Sequence, residues 1–218
     1  MKFKAILFDF DGLMFDTEKL WKDYNLKANK VFNVNFSEAD RMKIVGKNEQ
    51  EIRRILKELF PNLDVDKYRD WLREKVYSHQ RNKVVNHKKG LFQLLEYTKQ
   101  NKMKSAIVSG SEREIIENML NKHNIKTNTF KTMVTGEMKI NPKPNPDVYL
   151  LACKNLRIKP EEAIVLEDSY NGVKAGKNAR CFTIMIPDTF PVTDEMKQTA
   201  DLILNDLNEV VDYLKSAN

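Results

Sequence analysis

Six short apolar runs alternate along this 218-residue chain with longer stretches of helical periodicity. The runs are Lys4–Asp9, Lys104–Ser109, Lys131–Thr135, Ala163–Glu167, Cys181–Ile186 and Leu202–Leu204. Their apolar residues are consecutive instead of alternate, so both faces of each strand need cover. Helical stretches around Gly90–Asn101, Glu112–His123, Pro146–Leu156, Asn171–Ala179 and Leu207–Ser216 lie between or after them. This order predicts an α/β fold, a Rossmann-like parallel sheet covered by helices. The interval between the first two strands breaks the rhythm. It carries three or four helical segments (Thr17–Phe32, Ser37–Val45, Glu49–Phe60, Val65–Arg81) and no convincing strand. Such a block is too long for one crossover. The expectation is a discontinuous core, residues 1–15 and 84–218, with an inserted α-helical cap at 16–83.

Several function classes fall away on composition. The longest apolar run, Val148–Cys153, is six residues, against roughly 18 needed to span a bilayer, so no membrane role is expected. The start, MKFKAILFDFDG, turns acidic after a short apolar stretch and has no small-residue cleavage site, so it reads as a buried strand and not a signal peptide. The net charge is +6, from 37 Lys and Arg against 31 Asp and Glu. Those charges are dispersed, with both signs alternating along the helices and no helix-turn-helix, zinc-finger or RNP pattern, which argues against nucleic acid. A mild attraction for anionic substrates is compatible with the excess. Cys153 and Cys181 lie far apart in sequence without a CxxC or Cys/His cluster. They read as free buried thiols of a cytoplasmic protein.

Four strand ends carry chemistry. The first, FDFDGLMFDT, places Asp9 and Asp11 at the carboxyl end of strand one, where open parallel sheets hold ligands. A surface turn would use the same residue types; an EF-hand loop would need polar residues where Leu13, Met14 and Phe15 stand. The second is Ala106-Ile-Val-Ser109-Gly110-Ser111, a strand running into a helix N-terminus that favours an anion, with Ser109 as one more donor. An ordinary N-cap is the alternative. Ser111 fits that capping role, with Glu114 three residues on as in a capping box. The third is Asn141-Pro-Lys143-Pro-Asn-Pro146-Asp147, in which three alternate prolines hold Lys143 on a stiff loop. Such an ammonium suits a phosphoryl oxygen or a carboxylate, or is simply an exposed linker lysine. The fourth, Leu166-Glu167-Asp168-Ser169, adds acids that either favour the next helix dipole or, with Asp9 and Asp11, form an oxygen-ligand site for a hard cation. Ser169 can cap that helix, and Gly172 and Gly176 leave one of its faces bare enough to approach the sheet closely.

In this order the four patterns resemble the haloacid dehalogenase superfamily, in its phosphatase and β-phosphoglucomutase-like branch with a helical cap. The resemblance runs over nearly the whole chain. The superfamily's dehalogenases lack the second Asp of the first motif, so Asp11 points to phosphoryl transfer. The resemblance implies a Mg²⁺-dependent phosphomonoester hydrolase acting on a small phosphorylated metabolite, such as a sugar phosphate. Asp9 would be the nucleophile, forming an aspartyl-phosphate, and Asp11 the acid and base. Ser109, the Gly110 N–H and Lys143 would hold the phosphoryl group. Asp9, the Asp11 carbonyl and Asp168 would bind Mg²⁺, with Glu167 accessory. The expected assembly is a monomer or weak dimer.

Mutase relatives carry a His where this chain has Trp21, and Lys and Arg in the cap around a glycine matching Gly46. Here those cap positions read Val45 and Glu49, with Lys47 shifted from the pattern. Glu49 is expected to repel a second phosphate, which favours hydrolysis over a sugar-phosphate mutase. A non-catalytic phospholigand-binding protein is the rival from another class, but the nucleophile, acid and metal-ligand positions are all retained. His79, His87 and His123 fall in no motif and read as surface or partly packed side chains.

Overall fold

The protein is described by a computed structural model covering residues 3–44, 47, 49–189 and 191–216. Its strands are β1 (Ala5–Phe8), β2 (Lys104–Val108), β3 (Thr132–Val134), β4 (Ala163–Glu167), β5 (Phe182–Met185) and β6 (Leu202–Ile203). They form one sheet in the order β3-β2-β1-β4-β5-β6, with every pair parallel. The helices are α1 (Thr17–Val31), α2 (Glu38–Ile44), α3 (Glu49–Leu59), α4 (Val65–Asn82), α5 (Leu91–Gln100), α6 (Arg113–Lys122), α7 (Asp147–Leu156), α8 (Tyr170–Asn178), α9 (Asp194–Thr199) and α10 (Leu207–Ser216). The six expected strands are all present, as is the run of helices between β1 and β2, without a strand among the described residues. The short α9, begun by Thr193 accepting from the Met196 N–H, was not expected. It spans six residues, too few to show a helical period.

All four β1 side chains are buried, and they divide between two cores with the period of two that a strand imposes. Ile6 and Phe8 join Leu91, Leu94, Ile115, Ile116, Leu207 and Val210 on the α5, α6 and α10 side. Ala5 and Leu7 join Tyr149, Ala152 and Ala175 on the α7 and α8 side, where small residues bring the helices near. At Gly176 an added Cβ would stand 2.6 Å from the Thr183 hydroxyl of β5, so its bareness sets how closely α8 approaches the sheet.

The first core continues without a break through Phe10, Leu13, Met14 and Phe15 into Leu20, Leu56, Tyr68 and Leu72 of the inserted helices. The two chain crossings that join the helical block to the sheet lie side by side. The Asp16 N–H donates to the Asn86 carbonyl at 2.9 Å, and the Lys88 N–H donates to the Met14 carbonyl at 2.9 Å. Val45 and Gly46, two of the positions compared with the mutase pattern, lie outside the described residues.

Candidate active site

Because the sheet runs outward from β1 in both directions, its carboxyl edge opens a crevice at β1 and β4, where such sheets place ligands. The expected residues arrive there from four strand ends. Asp9 follows β1, and its N–H donates to the Leu166 carbonyl of β4 at 3.0 Å. Ser109 follows β2 and is tied to the Val134 carbonyl of β3 at 2.9 Å. Glu167 closes β4, with Asp168 next to it, and Lys143 reaches in from the loop after β3. Gly12 takes φ +81°, and a Cβ there would stand 2.2 Å from Asp168 Oδ2. Glycine is therefore required both by the turn and by the contact.

Lys143 is the hub. Its Nζ donates to Asp9 Oδ1 at 2.5 Å, Glu167 Oε1 at 2.5 Å and the Val108 carbonyl at 3.0 Å, so it is neither a linker lysine nor exposed. Burial acts to lower its pKa, but the Asp9 and Glu167 charges outweigh it and raise the pKa above the usual lysine value. Glu167 is wholly buried with both oxygens engaged. Oε1 also accepts from the Tyr149 hydroxyl at 2.7 Å, and Oε2 accepts from the Ser169 N–H at 3.2 Å and hydroxyl at 3.0 Å. Ser169 in turn accepts from the Gly172 N–H at 3.1 Å, capping α8 as its position suggested. A Cβ on Gly172 would fall 1.9 Å from Oε1, so this glycine makes room for the carboxylate that steers Lys143.

Ser111 departs from expectation. The N-cap position of α6 is Glu112, which makes no capping bond with its side chain, and Glu114 pairs with Arg81 at 3.0 Å. The Ser111 hydroxyl donates instead to Asp11 Oδ2 at 2.6 Å, with Ser109 Oγ 3.3 Å from the same oxygen. The helix begins one residue later than the pattern implied, and β1 brings a stronger acceptor within reach. Asp11 Oδ1 is buried with no hydrogen-bond partner, so its accepting capacity is free. A carboxylate so fixed on one side and free on the other can give or take a proton.

Oxygens of Asp9, Glu167 and Asp168 lie within 4.8 Å of one another, the one such cluster among the described residues. Burial, reinforced by neighbouring carboxylates, pushes both Asp9 and Asp168 well above the usual carboxylate range; for Asp9, Lys143 works in the opposite direction. One ammonium cannot balance three buried carboxylates and Asp11. An all-oxygen donor set with excess negative charge fits a hard divalent cation.

Above the crevice, Glu18 on α1 has its carboxyl pushed up to about 7 by burial and then by the Asp11 charge, with Arg41 opposing. Trp21, one turn further on, packs edge-on to Tyr77 of α4 at 6.3 Å and lies under the Arg69 guanidinium at 5.5 Å. Glu49 is not a bare negative charge. It binds Arg69 through both oxygens at 3.2 and 2.7 Å and Arg53 at 2.9 Å, so the expected repulsion of a second phosphate is removed. Lys47 is engaged with Glu51 at 3.2 Å.

Away from the crevice, the histidines are packed as expected: His79 against Tyr24, His87 against Phe92 and His123 against Phe15. Cys153 and Cys181 are both free and buried. The fold makes them neighbours in one core cluster. No described helix is long and apolar enough to cross a membrane.

Residues 6–186 match the family model of the haloacid dehalogenase-like hydrolases. The chain belongs to that family. Among relatives of this haloacid dehalogenase-like hydrolase, the phosphorylated carbohydrates phosphatase of Thermotoga maritima is 29% identical over 184 residues, 81% of each chain. The pyrophosphatase PpaX of Oceanobacillus iheyensis is 25% identical over 212 residues, 97% of this chain and 96% of the other. These relatives place the hydrolase on the phosphatase branch. The structure of CbbY from Rhodobacter sphaeroides in complex with phosphate superposes with a TM-score of 0.81 at 23% identity, over 95% of this chain and 96% of that one. At that identity the likeness confirms the α/β fold alone.

Proposed function

We propose that this hydrolase cleaves phosphomonoesters of small phosphorylated metabolites, with Asp9 as nucleophile and Asp11 as acid and base. The observation that carries the reading is Lys143, which bridges Asp9 and Glu167 beside an Asp11 oxygen that is buried and unpartnered. An anionic nucleophile approaching an anionic phosphate needs fixed positive charge, and Lys143 supplies it at the reacting carboxylate.

An Asp9 oxygen attacks phosphorus while the bond from phosphorus to the alcohol oxygen breaks. Asp11 delivers its proton to the departing alkoxide. The aspartyl-phosphate is then opened by a water whose proton returns to Asp11, releasing inorganic phosphate and restoring Asp9. Ser109 and the Gly110 N–H, at the open end of β2, orient the phosphoryl oxygens with Lys143. Mg²⁺ would be held by Asp9, the Asp11 carbonyl and Asp168, with Glu167 accessory, and would neutralise charge on the phosphoryl oxygens. Glu167 serves chiefly to place Lys143, because its oxygens are already bonded.

Residues 16–83 act in this reading as a cap that excludes water and selects the leaving group. Trp21 packs against Tyr77 and offers no acid or base to an incoming sugar hydroxyl, which supports hydrolysis over the mutase alternative. Asp9→Asn should abolish phosphate release from p-nitrophenyl phosphate by at least 10³-fold with the fold retained. Undiminished release would overturn the mechanism.

A further inference from the structure

Two turns are laced together beside the crevice, one after β2 and one after β3. The first carries Ser109, Gly110 and Ser111, and the second carries Thr135, Gly136 and Glu137. Three hydrogen bonds from backbone N–H groups join them. Ser109 donates to the Val134 carbonyl at 2.9 Å, Gly136 to the Ser111 carbonyl at 2.9 Å, and Arg113 to Glu137 Oε2 at 3.3 Å. Gly136 makes the closest approach. A Cβ there would stand 1.9 Å from the Gly110 carbonyl oxygen and 2.7 Å from its carbon. The backbone at Gly136 does not itself call for glycine, because the positive φ angles among the described glycines belong to Gly12 and Gly90. Crowding by the neighbouring turn is what excludes a side chain. A Cβ on Gly110 would meet nothing within 4 Å, so the first turn has room to yield.

The peptide that Gly136 crowds has a second end. Its carbonyl belongs to Gly110 and its N–H to Ser111, and that N–H donates to Ser109 Oγ at 2.9 Å. A trans peptide is a rigid plane with its oxygen and hydrogen on opposite sides. Pressing the carbonyl away therefore swings the N–H the other way, and the Ser109 hydroxyl loses its tether. Because Ser109 Oγ accepts from that N–H, its own proton must be donated in another direction. In this structure it meets Asp11 Oδ2 at a long 3.3 Å, an oxygen that Ser111 already holds at 2.6 Å. So weak a bond is readily exchanged for one to a phosphoryl oxygen.

We propose that Gly136 is a positioning residue, whose missing side chain lets the Gly110–Ser111 peptide stand where its N–H aims the Ser109 hydroxyl at the phosphoryl group. The inference rests on the phosphatase reading above and deepens it by tracing the aim of a phosphoryl-binding group to the turn after β3. Gly136 touches no reacting atom and acts only through the peptide. In Gly136→Ala the Gly110 oxygen must recede by about 1 Å to regain an ordinary contact, and a misplacement of about 1 Å at a reacting centre is worth about 10²-fold in rate.

The test measures hydrolysis of p-nitrophenyl phosphate by the full chain. Gly136→Ala should lower kcat/KM by about 10- to 100-fold, and inorganic phosphate should inhibit it roughly fivefold more weakly than wild type. The decisive readout is the same substitution in a Ser109→Ala background. With the hydroxyl gone there is little left to misplace, so the added loss should shrink to about threefold or less, the non-additivity of residues that act as a unit. Gly176→Ala, crowded in the core and away from the crevice, separates aim from stability: it should melt lower yet keep its inhibition by phosphate. Should Gly136→Ala not fold by circular dichroism, Glu137→Ala cuts the adjoining tie to Arg113. It should cost about threefold in kcat/KM with Ser109 present and nothing further in the Ser109→Ala background. A folded variant that keeps its kcat/KM, or one that loses equally with and without the Ser109 hydroxyl, overturns this inference alone. Failure of the wild-type protein to hydrolyse any phosphomonoester would sink the phosphatase reading and this inference with it.

Discussion

Replacing Gly172 by alanine should weaken the protein, although alanine is ordinarily the better helix residue. Propensity alone would make alanine about 1 kcal/mol more stable at this place in α8. The added Cβ, however, would stand 1.9 Å from the Glu167 carboxyl carbon and from Oε1, well inside any contact that atoms tolerate. The glycine cannot retreat easily, because its N–H is tied to Ser169 Oγ at 3.1 Å. The carboxylate must move, and it is fully buried with Lys143, Tyr149 and Ser169 bound to it. Breaking a buried ion pair costs about 3–5 kcal/mol. Set against the propensity gain, the net loss is about 2–4 kcal/mol, which for a chain of this size lowers the melting temperature by roughly 4–16 °C. Scanning calorimetry at pH 7.5 measures it. Lys143 would also lose one of its two carboxylate anchors, and a misplacement of about 1 Å at a reacting centre is worth about 10²-fold in rate. Gly176→Ala is the control: its Cβ meets Thr183 and Val165, so it should lose stability while keeping far more turnover. A Gly172→Ala protein that melts no lower than wild type and retains its kcat would refute the assignment of Glu167 as the residue that places Lys143.

The Glu18 carboxyl sits at about 7 against an ordinary 4.5, so the folded chain keeps a proton that the unfolded chain releases. Stability should therefore fall as pH rises from about 4.5 to 7, by on the order of 3 kcal/mol from this group. Glu18→Gln should flatten that limb of the urea-unfolding profile; an unchanged slope would count against it. Ser111→Ala frees Asp11 Oδ2 from its 2.6 Å donor and should slow alkyl phosphates about 5–30-fold more than p-nitrophenyl phosphate, whose leaving group needs little acid help. Equal losses on both would show that Ser111 does not orient the acid. Mg²⁺ added to metal-free protein should raise its melting temperature, and Asp168→Ala should remove most of that rise; a full rise in the variant would place the ion elsewhere.

What could be read from the linear chain was whatever is written locally. Consecutive apolar residues at Ala5–Phe8 and Ala163–Leu166 require cover on two faces, and the sheet buries them on both. Asp9, Asp11, Ser109 and Glu167 with Asp168 each stand at the end of such a run. A parallel sheet places all its strand ends on one edge, so their meeting followed from topology alone. Lys143 was legible through its prolines, and Ser169 through its place before α8. Other features depended on partners far away in the sequence. Ser111 looked like a helix cap because caps are local, and only the pairing of β1 with β2 revealed Asp11 as the stronger acceptor. Glu49 looked repulsive because Arg69, which binds both its oxygens, lies 20 residues away on another helix, although Arg53, four residues on, also pairs with it. Tyr149 carries no motif at all, yet its hydroxyl completes the shell around Glu167.

By itself, the sequence determined the fold class, the strand ends and the residue types gathered at them, because burial, periodicity and turn chemistry act between near neighbours. Tertiary structure alone decided which oxygen each donor meets, which charges cancel and which stay available. Arg69 and Arg73 show the difference. They are identical residues one helical turn apart, yet one is held by both oxygens of Glu49 and the other meets only the Tyr77 hydroxyl at 3.5 Å and Glu112 at 3.8 Å. Electrostatic roles depend on distances between groups that the fold brings together, and those distances have no counterpart in the order of residues along the chain.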